Sequence, residues 1–228
     1  LLTELENVQP SDDKVELFYE AGRYYQDVRD DEALSVRYYQ QALSLDENHI
    51  RSADALADIY YRTQRWEEAE ELYRKVITGL DAGKQRQLFC QKCYRLGTIY
   101  EHLNRSDEAL DYYRRSFDTD STYLPAGEGL SQALLATGLW AEAEKVFQAI
   151  LRYHRDSLTD AEAVDIYWQL GDLCLKQQQS DRAYSQFEKA LTIDPRHVHS
   201  LRCLSDLDKN LENFETALER LGRLSDAL

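Results

Sequence analysis

The residues best equipped for chemistry in this 228-residue chain are Cys90 and Cys93 in a C-x-x-C, three histidines (His154, His197, His199) and two runs of carboxylates. A C-x-x-C can supply half of a tetrahedral zinc site, which needs four ligands, or a redox dithiol, which needs a strand-to-helix setting. Neither context is present, since Cys174 and Cys203 stand in distant stretches. His197-Val-His199 follows Pro195 at a helix start, with no acidic or thiol partner at ligand spacing, so these read as solvated histidines. Glu67-Glu68-Ala69-Glu70-Glu71 and Asp107-Glu108 fall where helices begin. There carboxylates favour the helix macrodipole, which is a better account of them than an acid–base pair. No G-x-S-x-G, Walker A, H-E-x-x-H or glycine-rich phosphate loop occurs. The expectation is no catalytic residue, no cofactor and no metal.

The elements that position these residues are amphipathic helices in pairs. In Val164 to His197, Tyr167, Leu170, Gly171 and Cys174 follow the i, i+3, i+4, i+7 rule of one helix face. A second stripe runs through Ala183, Tyr184, Phe187, Ala190 and Leu191, and Pro195 stops it. The same template fits six times. Its small first-helix position falls at Gly22, Ala57, Gly97, Ser131, Gly171 and Ser205, and its small second-helix position at Ser35, Ala69, Ala109, Ala143, Ala183 and Ala217. Steps between the latter are 34, 40, 34, 40 and 34 residues. The longer steps place extra residues in 78–86 and 152–161, read as lengthened helix ends plus a longer connection. Thr159-x-x-Glu162 is a capping-box signature there. Trp66 and Trp140 sit at equivalent places, as duplication of a two-repeat unit would require.

Leu170-Gly171, Ala183, Phe187, Ala190 and Pro195 make this stretch resemble the tetratricopeptide repeat, with Tyr167 where that family has Trp and Cys174 where it has Tyr. The resemblance implies an all-α fold, a right-handed α-solenoid of about six helix-turn-helix units and no sheet. The repeats are placed near 15–49, 50–89, 90–123, 124–163, 164–197 and 198–228, with 1–14 as the end of a preceding repeat or an N-terminal cap. Asp12 or Asp13 is expected to cap the first helix. Asp208 breaks a column otherwise held by Tyr25, Tyr60, Tyr100, Leu134 and Cys174.

Composition narrows the partners. Lys+Arg 27 against Asp+Glu 42 gives a net charge of −15, which disfavours nucleic acid and anionic membranes. No apolar run of about 18 residues exists, and no signal peptide is visible. The chain opens on Leu1 and contains no Met, which reads as a fragment of a longer protein. Four cysteines are too sparse for a disulfide scaffold, so reduced thiols and a cytoplasmic location are expected.

In the family resembled, first helices line a concave groove that binds a peptide or protein segment. Carried over column by column, the groove residues are Tyr19, Arg23, Asp54, Asp58, Tyr61, Arg62, Tyr94, Thr98, Glu101, Glu128, Gln132, Trp168, Asp172, Lys176 and Arg202. Members that clamp a C-terminal carboxylate use Lys and Asn in these columns, and no such pair occurs here. Tyr19, Tyr94 and Trp168 are expected to be exposed and to suit apolar anchors of the ligand. A non-enzymatic binding scaffold is the first expectation, and a regulatory array within a larger enzyme the alternative. Self-association through uncovered ends is a third, with Leu1, Leu2, Leu5, Leu221, Leu224 and Leu228 as the exposed stripes.

Overall fold

Small residues facing large rings set the geometry of each helix pair. In the computed structural model, which describes residues 12–227, a Cβ added at Gly22, Gly97 or Gly171 would collide with the ring of Tyr39, Tyr113 or Phe187. Ala57, Ser131 and Ser205 take that place in the other repeats and are buried. Opposite them, Ser35, Ala69, Ala109, Ala143, Ala183 and Ala217 are buried too. Ala183→Leu should therefore cost about 1–3 kcal/mol through overpacking, read as a lower melting temperature. An unchanged transition would contradict this packing.

The described residues form twelve helices and no strand. In chain order these are α1 (Asp12–Asp27), α2 (Glu32–Leu45), α3 (Ile50–Arg62), α4 (Trp66–Gly79), α5 (Arg86–His102) and α6 (Ser106–Thr119). They continue as α7 (Leu124–Thr137), α8 (Trp140–His154), α9 (Asp160–Lys176), α10 (Ser180–Ile193), α11 (Val198–Asn210) and α12 (Phe214–Ala227). The fold is an all-α array of tetratricopeptide-like hairpins. It divides between Asp120 and Ser121 into two compact units, α1–α6 and α7–α12. Helices α5 and α9 are 17 residues long, and the connections before them absorb the remaining extra residues. Thr159 and Glu162 form the full capping box at α9, with Thr159 N donating to Glu162 Oε2 at 2.7 Å.

Within each pair the turn contains one left-handed residue: Asp30, Gln64, Asn104, Gly138, Gln178 and Glu212. That conformation lets the next amide reach back to close the first helix. Arg65 N bonds Tyr60 O at 2.8 Å, Arg105 N bonds Tyr100 O at 2.8 Å and Gln179 N bonds Cys174 O at 2.8 Å. Gly138, with φ of 75°, holds it without steric cost. Gly138→Ala should cost about 1 kcal/mol, measured by urea denaturation.

Three expectations need correction. Asp12 and Asp13 lie inside α1 rather than at its cap, and the cap position lies outside the described residues. Leu224 is buried in a cluster with Phe187, Leu201, Leu204 and Leu207, and Leu221 packs against it. The i, i+3, i+4, i+7 register from Ala217 turns both leucines inward, so the exposed apolar residues there are Leu211, Phe214 and Leu218. Leu1, Leu2, Leu5 and Leu228 lie outside the described residues. Tyr19, Tyr94 and Trp168 are half-buried rather than exposed, because each leans on a neighbouring aromatic ring.

The cysteines are unpaired, with Cys90, Cys93 and Cys174 buried and Cys203 partly so. Burial pushes the thiols of Cys90 and Cys93 up to about 11 and about 12, which keeps them protonated and unreactive at neutral pH. Among the described residues no three His, Cys, Asp or Glu side chains gather as a metal site. No described helix is long and apolar enough to cross a membrane.

Candidate functional site

In each unit, charged and aromatic side chains of two first helices meet in one cleft. In the first, Tyr19 and Arg23 of α1 and Asp54 and Asp58 of α3 line one cleft of about 280 Å³, beside Gln26, Tyr39 and Arg51. Arg51 lies 4.1 Å from the Tyr19 ring and pairs with Glu16 at 2.6 Å, while Arg23 pairs with Glu20 at 3.4 Å. These are exposed pairs of small individual worth, so a ligand can displace them at little cost.

The aspartates differ. Lys92 of α5, its side chain 4% exposed, lies 2.5 Å from Asp54 Oδ1 and 2.9 Å from Asp58 Oδ1. The Asp58 carboxylate also accepts hydrogen bonds from Arg95 and, at 2.6 Å, from Tyr73 OH. Burial opposes the charge on Asp58, but Lys92, Tyr73 and Arg95 outweigh it and hold this carboxyl below its ordinary range. Asp54 moves the other way, because burial outweighs the help of Lys92. Placed among the groove residues by their columns, Asp54 and Asp58 are thus already engaged inside the molecule. The sequence reading missed Lys92 and Arg95. A signal was present: the equivalents of Lys92 in other repeats are Leu17, Ser52, Ala126, Ile166 and Ser200, so a lysine there needs a buried anion.

The other expected residues of the first unit lie outside that cleft. Tyr61 makes edge contacts with Trp66 and Tyr73, and Arg62 pairs loosely with Glu32 at 3.5 Å. Glu101 accepts from Tyr113 OH at 2.7 Å, and Thr98 lies 3.3 Å from the same hydroxyl. Tyr94 packs against the Tyr113 ring.

In the second unit, Glu128 and Gln132 of α7 and Trp168 of α9 line a cleft of about 380 Å³ with Phe147, Ile150, Leu158, Glu162, Asp165, Ile166 and His199. The Trp168 ring lies 5.4 Å from that of His199. Burial raises the Glu128 carboxyl above its usual range, Glu162 raises it further, and His154 opposes them. Asp172 and Lys176 pair with each other at 2.8 Å, and Lys176 also lies over the Trp140 ring at 4.5 Å. Arg202 is exposed on α11. Glu162, Asp165 and His199 were not among the expected site residues. The early start of α9 brings Glu162 to the cleft, and only the fold places that first turn beside α7.

Three family models described as tetratricopeptide repeat match residues 52–88, 93–123 and 129–197. The chain is similar to regulatory protein RapD of Bacillus subtilis, 30% identical over 148 residues, covering 58% of this chain and 41% of that protein. It is also similar to superkiller protein 3 of Schizosaccharomyces pombe, 25% identical over 127 residues, covering 55% of this chain and 9% of that one. The chain thus spans less than half of either relative. Among solved structures, YrrB, described as a TPR protein with an unusual peptide-binding site, superposes with a TM-score of 0.63 at 19% identity, covering 88% of this chain and 95% of that one. MamA gives 0.58 at 17% identity, with 80% and 92% covered. At these identities the structures speak for the fold alone.

Proposed function

The chain belongs to the tetratricopeptide repeat family, and from that premise we propose that it is a non-catalytic scaffold holding an extended segment of another protein against its first helices. The observation that supports this most is the convergence of Glu128, Gln132 and Trp168, from two successive first helices, on one cleft with an apolar floor. A few convergent polar groups over an apolar floor is the usual make-up of a ligand site. The similarity to YrrB, itself described as having a peptide-binding site, accords with this reading. A net charge of −15 argues against nucleic acid as the partner. Unpaired cysteines suit a reducing compartment, and cytoplasm is the location proposed.

The test is to isolate the partner on the immobilised chain and then measure its affinity for Tyr94→Ala and Trp168→Ala variants. Loss of about tenfold or more in at least one variant is expected for a half-buried aromatic anchor. Because both rings pack on neighbours, circular dichroism melting must accompany the titration. A folded Tyr94→Ala/Trp168→Ala chain that binds normally would move the partner to another face. A second reading, a regulatory region within a larger enzyme, is favoured by the greater length of the relatives. The full-length sequence decides it by revealing or lacking a catalytic domain.

A further inference from the structure

The second unit's cleft gathers three carboxylates and no lysine or arginine. Elsewhere, carboxylates drawn into the packing meet a cation: Asp58 meets Lys92 and Arg95, Glu144 meets Arg182, and Asp208 meets Arg220. Here three exposed carboxylates, Glu128, Glu162 and Asp165, share the rim of the cleft. Among the described residues none of the three forms an ion pair with Lys or Arg; Glu162 bonds only the Thr159 cap. The same cleft is lined by buried Phe147 and Ile150 and by half-buried Leu158, Ile166 and Trp168. Burial and the neighbouring Glu162 both raise the Glu128 carboxyl and His154 opposes them, so the cleft gathers negative charge that meets histidine but no lysine or arginine.

We propose that this cleft seats a Lys or Arg side chain of the bound segment, with an adjacent apolar residue on the floor formed by Phe147, Ile150 and Ile166. The inference rests on the groove reading above and adds the chemistry of the partner. A cation there relieves repulsion between Glu128 and Glu162, and the aliphatic stem of Lys or Arg can lie along Trp168 with its head at the carboxylates. An acidic or phosphorylated segment would add like charge to the same place, which excludes it as the occupant.

Selection of a random peptide library displayed on phage against the intact chain tests this. Enriched peptides should share one Lys or Arg beside an apolar residue. A synthetic peptide of the consensus should lose at least about tenfold in affinity when its cation is replaced by norleucine, and about as much against Glu128→Gln/Asp165→Asn. That pair of substitutions removes charge with little change of shape and leaves the Thr159–Glu162 cap intact. Enriched peptides without a fixed cation, or equal binding to the variant, would overturn the inference. Peptides lacking the cation that still lose affinity against Trp168→Ala would overturn it while leaving the groove reading standing. An empty selection overturns it, as does self-association abolished by the charge variant, which would give the cleft to a second copy of the chain.

Discussion

Arg220→Val should lower stability by about 3–5 kcal/mol, seen as a shift of the urea midpoint. Arg220 lies on α12 with its side chain 9% exposed, 2.7 Å from Asp208 of α11, whose side chain is 0% exposed. It also donates to Tyr184 OH at 2.7 Å and to Glu188. Without the guanidinium, Asp208 is left charged in an apolar setting or must take up a proton, and either is costly. The columns explain why the pair is there. The equivalents of Asp208 and Arg220 are stacked Tyr25 and Tyr38 in the first repeat, and Tyr100 against Tyr112 in the third. Leu134 and Val146 hold those columns in the fourth repeat. The sixth repeat replaces an apolar contact by an ion pair, changing both members together. Asp208→Leu/Arg220→Val should therefore recover most of the loss, and a double variant as unstable as the single one would show that Arg220 acts through Glu188 and Tyr184 instead.

Lys92→Met should cost about 2–4 kcal/mol. The upper end of the usual range is not expected, because Asp54 and Asp58 are 27% and 35% exposed and Arg95 continues to neutralise Asp58. The loss should also depend on pH. Asp58 has its carboxyl lowered by its partners, so its contribution is present above the unfolded value of about 3.9 and is lost as pH falls through the lower folded value. Asp54, raised by burial, works with the opposite sign, and its penalty fades as pH falls through its raised value. Acid titration of wild type and Lys92→Met should thus show the two curves converging below pH of about 4. Curves that stay parallel would mean that Lys92 stabilises by packing its stem and not by its charge.

The sequence by itself determined the repeat. Six positions that admit only Gly, Ala or Ser, each matched to a small position on the second helix, leave one way for two helix backbones to approach. The structure brings Gly22, Gly97 and Gly171 against the rings of Tyr39, Tyr113 and Phe187. The capping box of Thr159 and Glu162 was legible too, since it is a contact within four residues. Local periodicity and capping depend on neighbours in sequence, so a single chain suffices to read them. Asn104 and Gly138 hinted at the left-handed turns, but Gln64, Gln178 and Glu212 hold the same conformation without a residue that favours it. There the closing hydrogen bond and the packing of both helices overrule local preference.

Tertiary structure decided which charges remain available. Sequence columns placed Asp54 and Glu128 on equivalent first-helix positions, with Asp58 one turn on, and could not tell which carboxylates are engaged. Asp54 and Asp58 are engaged because Lys92 sits 34 residues after Asp58 in a column that faces back toward it. Glu128 has no such lysine, because Ile166 and Ala126 occupy that column in the second unit. The register from Ala217 turns Leu221 and Leu224 inward, and Phe187, Leu201, Leu204 and Leu207 of α10 and α11 cover them. Coulomb energy and burial depend on distances between helices, and those exist only once the repeats have stacked.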